Sequence, residues 1–568
     1  MDAFSPTPEQ AGVIAAAEAG QSALIVAGPG TGKSRTALEA ARVAVRRLGD
    51  RPFDQVLFLS FSNATIQRLM KGAGLVLSPQ ERSRLRFMTY HSCAAELLGL
   101  YGRFVGLPAR VRIIDKLEER LLRLSMADVA EPGDDAMRRL PAEQGLLGFD
   151  VLIPLATKLL EANDALRGVI ERRYPLIIVD EFQDTSEAQW ALLRALGSRS
   201  AVIAFGDPNQ IIYSSLHAAT ERRLEEFRSW KGIDLMRFSA ENFRCSVPEI
   251  LVCAERLLLG QPYTRRPNSG VQFFNAQYRA RRRAQLAIIW KAIEEQVGPK
   301  QTIGILVPSN RLVEEVALGL RNPPPDSGIP FKVYTHMARD EAAYDSVVVA
   351  LAALRDVATF ASDEARADAA VALVAMNTAW NTRAKADQNA IAETLARIEA
   401  AERNTSLPLG DLIAQLGTAN DVSTYVVDFA EALKGLREFR VTAARLVAHD
   451  RIVSDVVLAF RPGVRAFHDF RLNRTAKGLY GDEALEGKTH VLTYHKGKGR
   501  EFDFVVLVVD PRAESGRVPL DEKRRLYYVC ATRARKWLGV VYCGAELGNV
   551  LGPILAPAPV HRGGRAGA

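Results

Sequence analysis

Between residues 23 and 38 the chain passes from a short apolar run, Ala23-Leu24-Ile25-Val26, through Ala27-Gly28-Pro29-Gly30-Thr31-Gly32-Lys33-Ser34, into a helical pattern that begins Arg35-Thr36-Ala37-Leu38. Few folds admit this order of buried strand, glycine-rich turn and helix. A continuous apolar run is buried on both faces, as in a parallel sheet, and the helix that follows is the crossover to the next parallel strand. The glycines let backbone N–H groups close around phosphate oxygens at a helix N-terminus, where the helix dipole favours anions. Lys33 then offers a point charge to the β and γ phosphates, and Ser34 offers a hydroxyl to a magnesium ion. Ala27 stands where such loops commonly open with glycine. The whole loop from Ala27 to Ser34, with Arg35 directly after it, is the first candidate binding site, and ATP with Mg²⁺ is the ligand this chemistry fits.

Further short runs rich in Val, Ile and Leu lie at 55–60, 176–179, 201–205, 303–307, 491–493 and 504–509, with 23–27 the first of the series. They alternate with longer helical patterns, so the fold class is α/β with parallel sheets and crossover helices. Two stretches, 94–172 and 356–481, carry almost no strand signal and read as helical insertions. The stretch at 322–328 reads as a surface loop and the tail at 561–568 as disordered. At 568 residues the chain exceeds the roughly 250 to 300 at which single cores stop growing, so two to four domains are expected.

A second site grows from the run at 176–179, which ends in Asp180-Glu181-Phe182-Gln183-Asp184. Adjacent carboxylates at the carboxyl end of a parallel strand lie where such sheets bind ligands. Asp180 is the candidate magnesium ligand, acting through the ion's water shell, and Glu181 the group that orients and deprotonates an attacking water.

Composition excludes other classes. No apolar run reaches the roughly 18 residues of a membrane span, and Met1-Asp2-Ala3-Phe4-Ser5-Pro6 lacks the basic and apolar regions of an export signal, so a cytoplasmic location is expected. The five cysteines are scattered without a C-x-x-C pair, which speaks against a disulfide framework or a zinc site. A net charge of +8 favours a polyanionic partner. The cluster at Arg279, Arg281, Arg282 and Arg283 fits a phosphate backbone and fits a solvated helix face equally well.

Asp-Glu-Phe-Gln-Asp after a strand is far more specific than a generic acidic pair, and resembles motif II of the UvrD-like helicases, the UvrD/Rep/PcrA type. Other motifs of that family follow in order. Gln10, within Thr7-Pro8-Glu9-Gln10, sits where the family places a glutamine that reads adenine. Phe61-Ser62-Asn63 and Thr89-Tyr90-His91-Ser92 resemble motifs Ia and Ib, which implies contacts from Phe61, Asn63, Thr89, Tyr90 and His91 to single-stranded DNA. Gly206-Asp207-Pro208-Asn209-Gln210-Ile211-Ile212-Tyr213 resembles motif III, in which Gln210 would sense the γ-phosphate and Tyr213 would face DNA. Asn242-Phe243-Arg244 resembles motif IV, with Phe243 stacking on adenine and Arg244 on phosphate. Thr493-Tyr494-His495-Lys496-Gly497-Lys498-Gly499-Arg500-Glu501-Phe502 resembles motif V, implying Glu501 at the ribose and Thr493 and His495 near DNA. Arg525 to Ala534 resembles motif VI, with Arg533 as an arginine finger.

The resemblance runs from Gln10 to Trp537. It implies two RecA-like domains, at 1–93 with 173–240 and at 241–355 with 482–560, each carrying a helical insertion, and an ATP-dependent 3′ to 5′ helicase or translocase on single-stranded DNA. The second insertion is short for the family, and Ser215 stands where the family often has a base-stacking tryptophan. A motor subunit working with a separate nuclease or repair protein is the alternative. Asp482, Glu486 and Lys488 superficially fit a metal-nuclease pattern, but their spacing is cramped.

Overall fold

The computed structural model describes residues 4–49, 51, 53–60, 63–126, 133–212, 222–239, 241–264, 266, 269–276, 301–309, 312–313, 316, 333–335, 341–381, 383–418, 425–448, 489–509, 518–543 and 548–555. Phe61, Tyr213, Ser215, the arginines at 279–283, the loop at 322–328, the acidic pattern at 482–488 and the tail at 561–568 lie outside these residues. The chain divides into two compact units, one formed by Met1–Cys93, Leu160–Ala338 and Gly481–Ala568, the other by Ala94–Leu159 and Arg339–Tyr480.

In chain order the strands are β1 (Ala23–Val26), β2 (Val56–Ser60), β3 (Leu85–Thr89), β4 (Arg112–Ile113), β5 (Leu146–Leu147), β6 (Leu176–Asp180), β7 (Ala201–Gly206), β8 (Leu235–Arg237), β9 (Val271–Ala276), β10 (Ile303–Val307), β11 (Val333–Thr335), β12 (Thr489–Thr493), β13 (Phe502–Val509) and β14 (Ala534–Cys543). The first unit holds two six-stranded sheets, ordered β3-β2-β6-β7-β1-β8 and β11-β12-β10-β13-β14-β9, and every pairing in them is parallel. The mixed α/β class with parallel sheets expected from the apolar runs is what the chain adopts. Each apolar run became a strand. β3, β8, β9, β11 and β14 were not anticipated. β8 and β11 are three-residue edge strands, β3 has an exposed arginine inside it, β9 carries Gln272 and Asn275 among its apolar residues, and β14 has Arg535 and Lys536 directly after its first residue, so none carries a clean apolar signature.

Register places the chemistry. Ser60 pairs with Asp180 and Val26 with Gly206, so the carboxyl ends of β2, β6, β1 and β7 meet along one edge. Beneath that edge Phe182, Trp190, Phe227 and Trp230 form an aromatic cluster, with ring centroids 5.2 Å apart for Phe182 and Phe227 and 5.7 Å for Phe182 and Trp190. Phe182 follows Glu181 and is fully buried, so the cluster anchors the acidic turn. Phe227→Ala is expected to cost about 3 to 5 kcal/mol, the usual loss for a buried phenylalanine, read as a lower urea midpoint at unchanged slope.

The second unit is largely helical. The helix Lys116–Met126 from its first segment packs against Asp363–Trp380 from its second, with Leu124, Val374 and Ala375 in one small core. Its boundaries differ from those expected. The helix Asp164–Arg173 goes with the sheets and Glu341–Phe360 goes with the second unit, and the segment read as strandless contains the short parallel pair β4 and β5. Both segments of the unit depart after an edge strand, the first downstream of β3 and the second downstream of β11.

Candidate nucleotide-binding cleft

The first unit carries a cleft of about 200 Å³ lined by Pro29, Gly30, Gly32, Lys33, Ser34, Arg35, Arg68, Glu181, Gln210, Phe243, Arg244 and Arg533. It brings together residues more than 500 positions apart in sequence.

The loop is built by backbone geometry. Gly30 has φ +79° and Gly32 φ +85°, left-handed values that glycine adopts without a Cβ clash. A Cβ on Gly30 would sit 2.4 Å from the Asn242 side chain. That close approach lets Asn242 Nδ2 donate to the Pro29 carbonyl at 2.6 Å and the Phe243 amide donate to the Gly30 carbonyl at 2.9 Å. Asn242 Oδ1 in turn accepts from the Arg244 amide at 2.9 Å. Phe243 is thereby left 59% exposed at the cleft, an apolar ring free to stack on a planar base.

Lys33 begins the helix Lys33–Arg47. Its ammonium donates to the carbonyls of Ala27 at 2.7 Å and Gly28 at 2.9 Å. Burial lowers its pKa, and the negative charges of Asp207, Glu181 and Asp180 oppose that shift. Arg35 is held by Glu39 at 2.8 Å, and its guanidinium lies 5.1 Å from the centroid of the Phe4 ring.

At the acidic turn Glu181 has φ 54°, a left-handed conformation rare for a residue with a side chain, and such backbone costs of order 1 to 3 kcal/mol. It directs Asp180 and Glu181 differently. The Asp180 carboxylate, 4% exposed, accepts from the Glu181 amide at 3.0 Å and lies 3.5 Å from Arg68. Burial and the neighbouring Glu181 charge raise its pKa. Burial would raise Glu181 too, but Lys498, Lys33, Arg68 and a bond from Gln183 bring it down to about 2.

From Glu181 an unbroken relay runs to the second sheet. Gln183 Nε2 donates to Glu181 at 2.7 Å, Gln183 Oε1 accepts from the Asp207 amide at 3.0 Å, Asp207 accepts from Gln210 Nε2 at 2.7 Å, and Gln210 Oε1 accepts from Arg533 at 3.1 Å. Lys498 ties the same region together, pairing with Asp184 at 2.5 Å and donating to the Gln210 carbonyl at 2.6 Å. Burial pushes Asp184 up to about 7 despite that lysine. Glu501 pairs with Arg244 at 2.8 Å, Arg535 at 2.7 Å and Arg68 at 3.6 Å. Burial would raise its pKa, yet these guanidiniums hold it at about 2.

Magnesium fits this donor set. Among the described residues no group of three or more His, Cys, Asp and Glu could cage a metal. Ser34 at the cleft and the buried Asp180 are hard oxygen donors of the kind Mg²⁺ takes alongside water and substrate phosphates.

Other sequence-based assignments fare differently. Gln10 is 2% exposed; its Oε1 accepts from the Thr7 amide at 3.1 Å and its Nε2 donates to the Thr31 carbonyl at 3.0 Å, so it braces the loop and does not line the cleft. Tyr90, expected at DNA, is 1% exposed, which removes its ring from reach of a base. The large aromatic opens the helix Tyr90–Tyr101 straight after β3 and is consumed by the core. Thr89 and Thr493 both end strands and accept bonds from the first turn of the next helix, from the amides of Ser92 at 3.1 Å and Lys496 at 3.4 Å. His91 and His495 are half-buried, and Asn63 opens the helix Asn63–Val76. Arg68 and Arg535 were missed because nothing in the sequence separates them from surface charges. Lys498, Gln183 and Asp184 stood inside motifs already recognised.

Residues 7–139 and 128–229 match the UvrD/REP helicase N-terminal domain, and residues 488–541 match the UvrD-like helicase C-terminal domain. The chain is 26% identical to ATP-dependent DNA helicase UvrD1 of Mycobacterium tuberculosis, over 95% of this chain and 82% of that protein. It is 22% identical to ATP-dependent DNA helicase Rep of Escherichia coli, a match spanning 42% of this chain and 41% of Rep. A 125-residue stretch is 38% identical to the RecBCD enzyme subunit RecB of Mycolicibacterium smegmatis, covering 21% of this chain and 11% of RecB.

Proposed function

Since the chain belongs to the UvrD-like helicase family, we propose that it is an ATP-dependent DNA motor that moves along single-stranded DNA in the 3′ to 5′ direction. ATP enters the cleft with its base against Phe243 and Arg35 and its ribose toward Glu501. Its phosphates lie on the loop amides, Lys33, Arg244 and Arg533. Ser34, and Asp180 through water, would hold a Mg²⁺ ion, which would supply charge neutralisation at the phosphate oxygens. Glu181 orients the attacking water and takes its proton, while Arg533 offsets charge that builds on the transferring phosphoryl group.

The observation that carries this proposal is the hydrogen-bond relay from Glu181 through Gln183, Asp207 and Gln210 to Arg533. It joins the group that handles water, on one sheet, to the arginine supplied by the other. Occupancy by a γ-phosphate then biases how the RecA-like domains at 1–93 with 173–240 and at 241–355 with 482–560 close, and hydrolysis releases them, stepping DNA held across both.

The test is steady-state ATP hydrolysis with and without single-stranded DNA, with Lys33→Ala measured in parallel. The wild-type rate is expected to rise strongly with DNA. Lys33→Ala, which removes a charge aimed at the phosphates, is expected to lose about 10² to 10³ in turnover. A DNA-independent rate would sink the motor assignment. A second reading, the motor subunit of a helicase–nuclease complex, draws on the similarity to RecB. Strand separation by the isolated chain counts against it, whereas DNA-stimulated hydrolysis with unwinding only on adding a nuclease partner supports it.

A further inference from the structure

The two oxygens of Glu501 are divided between different kinds of arginine. Oε1 faces Arg244 at 2.8 Å and Arg68 at 3.6 Å, both of which line the cleft. Among the described residues Oε2 takes Arg535 alone, from Nη2 at 2.7 Å and Nε at 3.3 Å. Arg535 does not line the cleft, and its side chain is 45% exposed against 13% for Glu501. Its backbone is fixed beside motif IV, since the Arg535 carbonyl accepts from the amide and the hydroxyl of Ser246, each at 3.2 Å.

We propose that Arg535 is a positioning residue that keeps the Glu501 carboxylate charge-satisfied when Arg244 turns to the nucleotide phosphates. The inference rests on ATP occupying this cleft. Glu501 is the counter-ion of Arg244 in this structure. An incoming triphosphate competes for that guanidinium, and a carboxylate as buried as Glu501 is costly to leave without a cation. Arg535 stays on the far oxygen throughout, so the hand-over does not strip Glu501 of its only remaining full partner. Without Arg535, Glu501 depends on Arg244 and Arg68 and holds them against the phosphates.

Arg535→Gln in the full chain is therefore expected to raise the KM for ATP about three- to fivefold, the scale of a half-exposed ion pair, with kcat changed by less than about twofold, the pattern of lost ground-state binding. Arg535→Lys, which keeps the charge, is expected to recover part of the loss. The decisive comparison is made in a Glu501→Gln background, where removing Arg535 is expected to have no further effect because no buried charge needs it. An unchanged KM in Arg535→Gln overturns the proposal, as does an equal rise in the Glu501→Gln background, which would mean that Arg535 acts on nucleotide without Glu501. Wild-type hydrolysis no faster than Lys33→Ala would instead overturn the nucleotide-site assignment beneath it, and the proposal with it.

Discussion

Arg533→Ala is expected to lower the rate of ATP hydrolysis by about 10³ to 10⁵, the range over which an arginine finger acts, measured as kcat at saturating ATP and DNA. The guanidinium is 2% exposed and fully steered: Nε donates to the Val529 carbonyl at 2.9 Å, while Nη2 donates to Gln210 Oε1 and Thr532 Oγ1, each at 3.1 Å. Such placement costs desolvation, and burial indeed lowers its pKa, opposed by Glu181 and Glu501. Truncating so buried a side chain also leaves a cavity and unpaired acceptors, so turnover is compared at a temperature where circular dichroism shows the variant folded. Unchanged turnover in a folded Arg533→Ala protein would show that the second sheet does not complete the catalytic site.

Glu181→Gln is expected to reduce turnover by about 10² to 10⁴, the usual contribution of a positioned general base, while leaving nucleotide binding intact. The amide has the same shape and still offers an oxygen to Gln183, so the relay's first bond survives. What is lost is the proton acceptor. With its pKa held at about 2, Glu181 is ionised throughout the neutral range, and its base form does not vary with pH there. Binding of a fluorescent ATP analogue separates the effects. If the analogue no longer binds, Glu181 is organising the loop and its role as base is wrong.

The chemistry that lies along single stretches was legible in the sequence. The phosphate loop, the acidic turn and the order of the motifs are set by neighbours in the chain, and strands such as Ile303–Val307 announced themselves through unbroken apolar runs buried on both faces. Strands with charge close to their start did not, as Ala534–Cys543 shows with Arg535 and Lys536 exposed at its second and third positions. Contacts that exist only after folding were also out of reach. Arg68 lies in a helix whose Ile66 and Leu69 are buried, and nothing local says that its guanidinium meets Asp180 and Glu501. Tyr90 shows the opposite failure: a motif position that promised a DNA contact was claimed by packing.

Both segments of the helical unit leave the chain after strands at the rim of their sheets, β3 in one and β11 in the other. A rim strand has a neighbour on one side only, so a detour inserted after it leaves the register between Ser60 and Asp180 or between Val26 and Gly206 undisturbed. Lengthening such a detour adds only slowly to the entropy of closing it. The helical unit can therefore be trimmed or enlarged without disturbing the strand pairing that lines up the residues of the cleft.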